Sequence, residues 1–295
     1  MSAELLQYIL TGLTVGCVYA LVGLAFTIIY NATGVINFAQ GEFVVLGALL
    51  FYTLLSLVHL PLAVALVLAV VAVALLGLLM ERLALRPLRH APVVTLVIVT
   101  VGVSVTIRGA ARLIWGPDAF PVPAFSGERS LFVGGAAIQS QYLWVVGLAV
   151  LVLAGVRLFF DRTAIGKAMQ ACAINSEAAR LSGISVERMV QLSFALSAGV
   201  SALAGAVISP ITFAAYDTGT VLGLKGFAAA IIGGLGNGTG AVFGGLVVGL
   251  LENLGTGLAP EGAAGFQDAF AFVVLVLMLF LKPEGLLGRK RTEGV

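Results

Sequence analysis

Long stretches without a single Asp, Glu, Lys or Arg are the feature of this sequence that most limits its fold. There are seven such uncharged runs: 5–41, 43–80, 90–107, 130–156, 189–216, 226–251 and 269–281. A helix of about 20 mostly apolar residues crosses the hydrocarbon core of a bilayer. The chain is therefore predicted to be an all-α, polytopic membrane protein.

The composition excludes a soluble domain. Only 16 Lys or Arg and 14 Asp or Glu residues occur among 295, or 10%, whereas about 25% is usual in soluble proteins. The 37 glycines favour close contacts between membrane helices. A net charge of +2 gives no argument for nucleic-acid binding, and the widely separated Cys17 and Cys172 imply no disulfide framework. Because Met1–Glu4 lacks a basic segment, the first apolar run is expected to remain in the mature protein.

About eight transmembrane helices, with additional broken or re-entrant segments, are expected in one domain over 1–295. The first run should hold one span and then an extra segment at 31–41. The second run should hold two short spans that turn at His59 and Pro61. The predicted spans are 5–29, 43–58, 61–80, 90–107, 130–156, 190–208 and 262–281, and the region 226–254 is considered separately below.

The distribution of Lys and Arg predicts the orientation, because such residues collect in cytoplasmic loops. Loops 81–92 and 157–188 and the tail 282–295 carry most of them and are predicted to be cytoplasmic. The loop 113–141, rich in Pro and Gly, is predicted to be periplasmic. Three arginines (Arg108, Arg112 and Arg129) lie in or near that loop and weaken the asymmetry without reversing it.

The number of membrane crossings then predicts a broken segment at 226–254. The preceding span leaves the cytoplasm and the following span must re-enter it, so this region must start and finish outside. Its many glycines make a break near Gly236-Asn-Gly238 easy. Irregular backbone at membrane depth persists only where it is packed in protein or lines a cavity. The region is therefore predicted to be a broken hairpin with a functional role.

Short similar patterns in the two halves point to inverted repeats. Segments 39–47 and 238–245 both place a polar residue and a glycine before an apolar, glycine-spaced helix. Corresponding interruptions of this kind are typical of transporters with inverted repeats. Several GxxxG spacings, including Gly12–Gly16 and Gly245–Gly249, are expected to pack helices together.

Signatures of membrane enzymes are absent from the sequence. There is no HExxH zinc motif, no serine with a base expected in reach, and no phosphate-binding loop around Gly166-Lys167. The glycine cluster at 236–240 does not follow a predicted strand, which argues against a dinucleotide site. The chain is therefore predicted not to be an enzyme, and neither a cofactor nor a metal is expected.

Few charges are available for ion-coupled transport, which needs charged relays within spans. The candidates are Glu42, Asp217, Lys225, Glu252 and Asp268. Each is expected at a helix end, so no intramembrane charge pair is predicted. Glu42 has two interpretations: a carboxylate favourably placed at a helix N-terminus, or a group that takes part in substrate passage.

The longest predicted cytoplasmic connection, at 161–188, has features of a docking segment. Asn175 or Ser176 can cap a short helix and Gly183 can end it. Four alanines give this helix a low-relief face: Ala171, Ala173, Ala178 and Ala179. A plain connecting loop of this size is unusual.

The segment Glu177-Ala-Ala-Arg-Leu-Ser-Gly183 resembles the EAA-x3-G element of ABC importer permeases. Three longer segments resemble branched-chain amino-acid ABC permeases of the LivH type: the opening at 16–43, the glycine-rich segment at 225–245, and the signature Leu281-Lys-Pro-Glu-Gly-Leu-Leu-Gly288. The resemblance covers essentially the whole chain. Gly238-Thr239 departs from the proline-containing step expected of the family.

The resemblance implies a permease subunit in the bacterial inner membrane that forms the translocation pathway for branched-chain amino acids. The implied partners are a second, different permease subunit, two ATPase subunits that hydrolyse ATP, and a periplasmic solute-binding protein, besides membrane lipid. It implies a coupling role for Glu177, Ala178, Ala179 and Gly183. It implies pathway or broken-helix roles for a second group: Asn37, Gln40, Gly41, Glu42, Gly236 and Gly238. For this second group, a role in shaping helix packing stays equally open.

Other hypotheses remain at this point. Within the same family the cargo could be urea, an amide or another small organic solute. From other classes come an ion-coupled secondary carrier or channel, which the predicted lack of intramembrane charge pairs disfavours, and a membrane enzyme.

Overall fold

A computed structural model describes residues 3–89, 91–127, 130–133, 135–258, 267–282 and 284–288. In this part of the chain the regular structure is helical apart from one antiparallel two-stranded hairpin. In chain order the elements are α1 (Ala3–Thr33), α2 (Gln40–Tyr52), α3 (Leu62–Met80), α4 (Val93–Trp115), β1 (Ser130–Val133), β2 (Ala136–Gln139), α5 (Ser140–Arg162), α6 (Ala164–Ile174), α7 (Ser176–Leu181), α8 (Val186–Thr212), α9 (Gly219–Gly233), α10 (Gly238–Leu258) and α11 (Gln267–Leu281). A π-helical turn extends α2 to Leu57, and π-helical and 3₁₀ turns extend α3 to Leu88.

Seven of the described helices are long and apolar enough to cross a membrane. They are α1, α2 with its extension, α3 with its extension, α4, α5, α8 and α10. Helix α9, with 15 residues, is shorter, and so is the described apolar part of α11 at 272–281. The all-α polytopic class predicted from the uncharged runs is thereby confirmed.

Contacts between chain segments define two ends of the helix bundle. At one end, the β-hairpin donates the Ala137 N–H to Gln7 in the second turn of α1, 2.9 Å away. The backbones of Phe120 and Ala214 pair at this same end. At the other end, Asn31 near the end of α1 donates to the carbonyl of Gly236, 3.0 Å away. We call these the hairpin end and the tail end.

Helices α2 and α9 both begin inside the bundle. The 15 residues of α9 span about 22 Å at 1.5 Å per residue, which is less than the roughly 30 Å hydrocarbon core. Since α9 ends at the tail end, its first residue, Gly219, lies at membrane depth. Gly41 in the first turn of α2 packs against Gly219 and Gly223. Helix α2 therefore starts at the same depth, and it runs to the hairpin end, where Trp115 donates to Thr53.

The two halves follow the same order in opposite directions, as inverted repeats do. Long α1 runs to the tail end, the chain turns back through the irregular residues 34–39, and half-helix α2 follows. Long α8 runs to the hairpin end, the chain turns back through the irregular residues 213–218, and half-helix α9 follows. The structural counterpart of α2 is thus α9, and not the segment 238–245 with which the sequence comparison paired it. A polar residue and a glycine before an apolar helix indicate tight packing at the start of that helix. The starts of α2 and α10 share this tight packing, which is why their sequences look alike.

A break occurs close to the predicted position, between Gly233 and Gly238, but it separates a half-helix from a helix of 21 residues. The tail supplies hydrogen bonds to the end of α9: the N–H groups of Leu286 and Leu287 donate to the carbonyls of Ile232 and Gly233, at 2.7 and 3.1 Å. These bonds satisfy carbonyls that a helix end otherwise leaves without partners.

The span predicted at 130–156 is wrong over residues 130–139, where strands β1 and β2 lie. Serine, glycine and β-branched residues at 130–139 favour a hairpin, and the helix α5 occupies Ser140–Arg162 instead. Helix α4 extends beyond the predicted span 90–107 to Trp115. Arg108 and Arg112 therefore belong to a helix rather than to a loop.

Helices α1 and α8 form the centre of the bundle and are buried along most of their length. The predicted glycine packing is confirmed between α1 and α10. A Cβ at Gly12 would lie 2.9 Å from the carbonyl oxygen of Gly249, and one at Gly245 would overlap the backbone of Ala20. Helices α3, α4 and α5 instead present exposed apolar side chains, which in a membrane meet lipid or another protein.

Candidate functional site

The meeting point of α2 and α9 is built from glycines. A Cβ at Gly41 would overlap the carbonyl oxygen of Gly219, and one at Gly205 of α8 would overlap the carbonyl of Val44. Backbone contacts this close leave no room for side chains. The N-terminal turns of both half-helices therefore meet at membrane depth, and each contributes the partial positive charge of a helix N-terminus.

Glu42 lies in the first turn of α2 and is fully buried at this meeting point. One carboxylate oxygen accepts hydrogen bonds from Ser104, at 3.0 Å, and from the Arg108 guanidinium, at 2.5 Å. The Arg108 side chain is 33% exposed and also contacts Thr220 at the start of α9. The expected location of Glu42 at a helix N-terminus is confirmed, and the charged partner on α4 is new.

Two buried polar atoms at this junction have no hydrogen-bond partner among the described residues: Oε2 of Glu42 and Nε of Arg108. Oε2 lies close to Gly219, since a Cβ built there would be 2.9 Å from it. Leaving such atoms without partners is costly, and it is often a sign of a water, an ion or a ligand group. The charged groups of the junction therefore have hydrogen-bonding capacity left, and the partly exposed Arg108 side chain connects them to the protein surface.

Asn37 and Gln40 support the irregular segment 34–39. The Asn37 amide donates to Gln40 (3.3 Å), and its oxygen accepts from the backbone N–H of Ala39 (3.1 Å). Gln40 in turn donates to the hydroxyl of Ser201 on α8, 2.6 Å away. The Phe38 N–H donates to Thr100 of α4. These bonds satisfy non-helical backbone inside the bundle, so four predicted residues (Asn37, Gln40, Gly41 and Glu42) share one site.

Gly236 and Gly238, the other two residues predicted for the pathway, lie at the tail end and apart from this site. Gly236 has φ = +93°, a conformation that favours glycine, and its carbonyl accepts from Asn31. Gly238 has no such backbone constraint, and a Cβ there would meet only the end of the Leu24 side chain, at 3.1 Å. The tight contact occurs instead at Gly240, where a Cβ would overlap the carbonyl oxygen of Gly233.

A second ion pair lies inside the bundle, which corrects the prediction that intramembrane charge pairs are absent. Lys225 of α9 and Glu252 of α10 are 2.9 Å apart, and their side chains are only 6% and 1% exposed. Tyr19 of α1 donates its hydroxyl to the other oxygen of Glu252, at 3.0 Å. The two charges lie in helix interiors rather than at the expected helix ends. Asp217, by contrast, is exposed between α8 and α9, and the side chain of Asp268 lies outside the described residues.

The predicted coupling segment folds into two helices, α6 and α7, where one was expected. Asn175 caps α7 by accepting the Ala178 N–H at 3.0 Å, and Gly183, with φ = +84°, ends it, as predicted. Glu177 and Ala178 are exposed, whereas Ala179 is buried and is not part of an outward face.

Two large exposed apolar side chains were not predicted from the sequence: Ile174 is the last residue of α6 and Leu181 is the last residue of α7. Ile174 is 87% exposed and Leu181 is 90% exposed. In α6, by contrast, Cys172 is buried, and burial raises the pKa of its thiol. Exposed apolar residues around a short, capped helix are features of a protein-binding surface.

Within the described residues, no group of three or more His, Cys, Asp or Glu side chains could hold a metal ion.

A family model and similar proteins of known name identify the family of this chain. The family model described as "Branched-chain amino acid transport system / permease component" matches residues 8–281. The high-affinity branched-chain amino acid transport system permease protein BraD of Pseudomonas aeruginosa is 32% identical, over 98% of both chains. The corresponding permease protein LivH of Escherichia coli K12 is 29% identical, over 98% of this chain and 97% of the relative.

A solved structure, PsaBC from Streptococcus pneumoniae in complex with Fab, has a similar fold. Its TM-score is 0.50 at 15% sequence identity, and the match covers 95% of this chain and 92% of that chain. The helical, polytopic architecture and a family match over residues 8–281 together show that the chain is a multi-pass transport protein of the bacterial inner membrane and belongs to the branched-chain amino acid transport permease family.

Proposed function

We propose that this chain is the permease subunit of an ABC importer and forms part of the pathway for branched-chain, hydrophobic amino acids. Its proposed partners are a second, different permease subunit, two ATPase subunits and a periplasmic solute-binding protein. The names of BraD and LivH support the cargo. Urea, amides or another small organic solute remain the alternative cargo within the family.

The observation that carries this proposal is the capped helix α7, which carries the exposed Leu181 and follows the exposed Ile174. The sequence contains no phosphate-binding loop, so ATP-driven transport by this chain would need an ATPase partner. A short helix that carries the exposed Leu181 and follows the exposed Ile174 suits insertion into a cleft of such a partner. Glu177, Ala178, Ala179 and Gly183 are proposed to form and position this contact.

The α2–α9 junction is the proposed lining of the pathway. Asn37, Gln40, Gly41 and Glu42 hold an irregular segment and two helix N-termini at membrane depth, and Arg108 connects them to an exposed face. Irregular backbone at this depth lines cavities in transporters. Gly236 is proposed to hold the break at the tail end instead, and Gly238 is the first residue of the helix that follows this break.

Two variants test the coupling assignment. Gly183→Glu places a β-carbon at φ = +84°, which strains the end of α7, although a Cβ there meets no atom within 4 Å, so that the effect does not come from a clash. Leu181→Glu puts a charge on the exposed apolar contact. Both variants should insert normally and keep the partner permease, but lose substrate-stimulated ATP hydrolysis in reconstituted membranes.

Controls separate docking from folding. Gly183→Asn tolerates the left-handed backbone, and Leu181→Met keeps the apolar contact, so both should retain stimulated hydrolysis. Undiminished ATPase stimulation and uptake in Gly183→Glu and Leu181→Glu would refute the docking role of α7.

The two intramembrane ion pairs remove one argument against an ion-coupled carrier, so this alternative needs its own test. The ABC assignment requires that leucine uptake into proteoliposomes depends on internal ATP and persists when ionophores collapse all ion gradients. Uptake that stops when ionophores are added and does not depend on internal ATP would establish the ion-coupled carrier instead.

A further inference from the structure

A cavity of about 300 Å³ lies at the tail end of the bundle, separate from Glu42 and Arg108. It is enclosed by the end of α1, the segment 34–39, the extension of α3, the start of α4, and α7 and α8. Its walls are mostly apolar: Ile29, Val35, Leu85, Leu96, Val190 and Phe194 line it. This volume is at the lower limit of small-molecule sites, which commonly occupy 300–1,000 Å³.

Charged groups of both signs face this cavity. Arg86 and Arg89 both pair with Glu187, with an Arg86–Glu187 distance of 2.7 Å, so two cations share one carboxylate. Arg180 of α7 also lines the cavity and forms no ion pair within the described part of the chain. The mouth therefore carries an excess of positive charge.

The opposite charge is supplied by Glu81, which is 4% exposed. Its Oε2 is buried and has no hydrogen-bond partner among the residues described. Asn37 and Thr100, both buried, add polar groups to the same lining. A buried carboxylate oxygen without a donor needs a hydrogen-bonding partner, and the cavity is the space from which one can come.

We propose that this cavity binds an α-amino acid with an apolar side chain from the cytoplasmic side. The arginines at the mouth take the ligand carboxylate, Oε2 of Glu81 takes its ammonium group, and the apolar walls take its side chain. An anionic phospholipid fits less well, because its acyl chain would lie against the unsatisfied carboxylate of Glu81. That the ligand is also the cargo rests on the proposed function, whereas the site itself rests on this lining.

The location gives such binding a consequence for transport. The cavity lining includes Arg180 on the proposed coupling helix and Asn37 in the irregular segment that leads to Glu42. A ligand held between them connects the coupling helix to the half-helix junction.

Equilibrium binding of radiolabelled leucine tests the proposal. The assay uses the complete complex of permeases and ATPases in phosphatidylcholine nanodiscs and omits the solute-binding protein, so that only a site on the membrane complex can bind. We expect saturable binding that weakens at least tenfold in Glu81→Gln and in Leu96→Trp, which fills the cavity. Leu83→Trp lies on the same extension of α3 but does not line the cavity, and Asp161→Asn removes an exposed carboxylate; both controls should bind leucine normally.

Several outcomes would overturn the proposal. These are no saturable binding, unchanged affinity in Glu81→Gln, or loss of leucine binding when phosphatidylglycerol replaces phosphatidylcholine, which would assign the cavity to lipid. Should Leu96→Trp fail to assemble, Glu81→Gln alone decides. Leucine uptake by the complete system is measured in parallel: normal uptake without this binding refutes only the cavity site, and binding without uptake refutes only the proposed function.

Discussion

The half-helices α2 and α9 occupy equivalent positions in the two inverted halves, yet their ion pairs differ. Lys225 on α9 and Glu252 are both buried, and both oxygens of Glu252 have partners. Glu42 on α2 is just as buried, but Arg108 is one-third exposed and each of the two has an unpartnered atom. The comparison indicates that the Lys225–Glu252 pair fixes the positions of its helices. The Glu42–Arg108 pair, by contrast, still has atoms that can hydrogen-bond to a further group.

The largest effect on folding is expected at the fully buried Lys225–Glu252 pair. Glu252→Ala removes the carboxylate with which the buried Lys225 ammonium pairs, and breaking a buried ion pair by removing one partner typically costs about 3–5 kcal/mol. The thermal unfolding midpoint of the purified complex should therefore fall sharply, with most protein lost to aggregation. The double variant Lys225→Met with Glu252→Leu removes both charges and should recover most of the stability. A midpoint unchanged in Glu252→Ala would show that this pair is not structural.

A smaller loss is expected where α9 meets α10. Gly240→Ala forces the backbones apart at the carbonyl of Gly233, and overpacking of this kind costs about 1–3 kcal/mol. Gly238→Ala, two residues earlier, meets only a side-chain end of Leu24 and should fold like the wild type. Folded yield by fluorescence-detected size-exclusion chromatography compares the two. Equal yields would mean that the half-helix is held by its ion pair and not by glycine packing.

The smallest effect on folding is expected at the Glu42–Arg108 pair, where we also expect a large effect on transport. In Arg108→Ala, Glu42 keeps the Ser104 hydroxyl and the N-terminus of α2, which offset part of the lost partner, so about 1–2 kcal/mol should be lost. Leucine uptake should fall at least tenfold. Arg108→Lys keeps the charge and should restore part of the uptake. Destabilisation as great as in Glu252→Ala would erase the difference between the two pairs.

Features set by local sequence could be predicted. Uncharged runs indicate membrane helices, and Asn175 and Gly183 mark the start and end of α7, because capping depends on residues within one turn. The break between Gly233 and Gly238 was also anticipated, since clustered glycines weaken a helix wherever it packs.

Features that depend on which helix faces meet could not be predicted. Glu42 and Arg108 lie on different helices, as do Lys225 and Glu252, and apolar periodicity does not reveal that such charges face each other. For the same reason Gly238 was chosen although the tight contact is at Gly240, and the start of α2 was paired with segment 238–245 at the start of α10 although its structural counterpart is α9.

The bonds between the tail and α9 have a consequence for biosynthesis. The carbonyls of Ile232 and Gly233 are satisfied by Leu286 and Leu287, which are translated only after two more helices have been made. Until then, the end of α9 must rely on water or on the insertion machinery for hydrogen bonds. The second half of the protein therefore cannot complete the hydrogen bonds at the end of α9 until the tail has been synthesised.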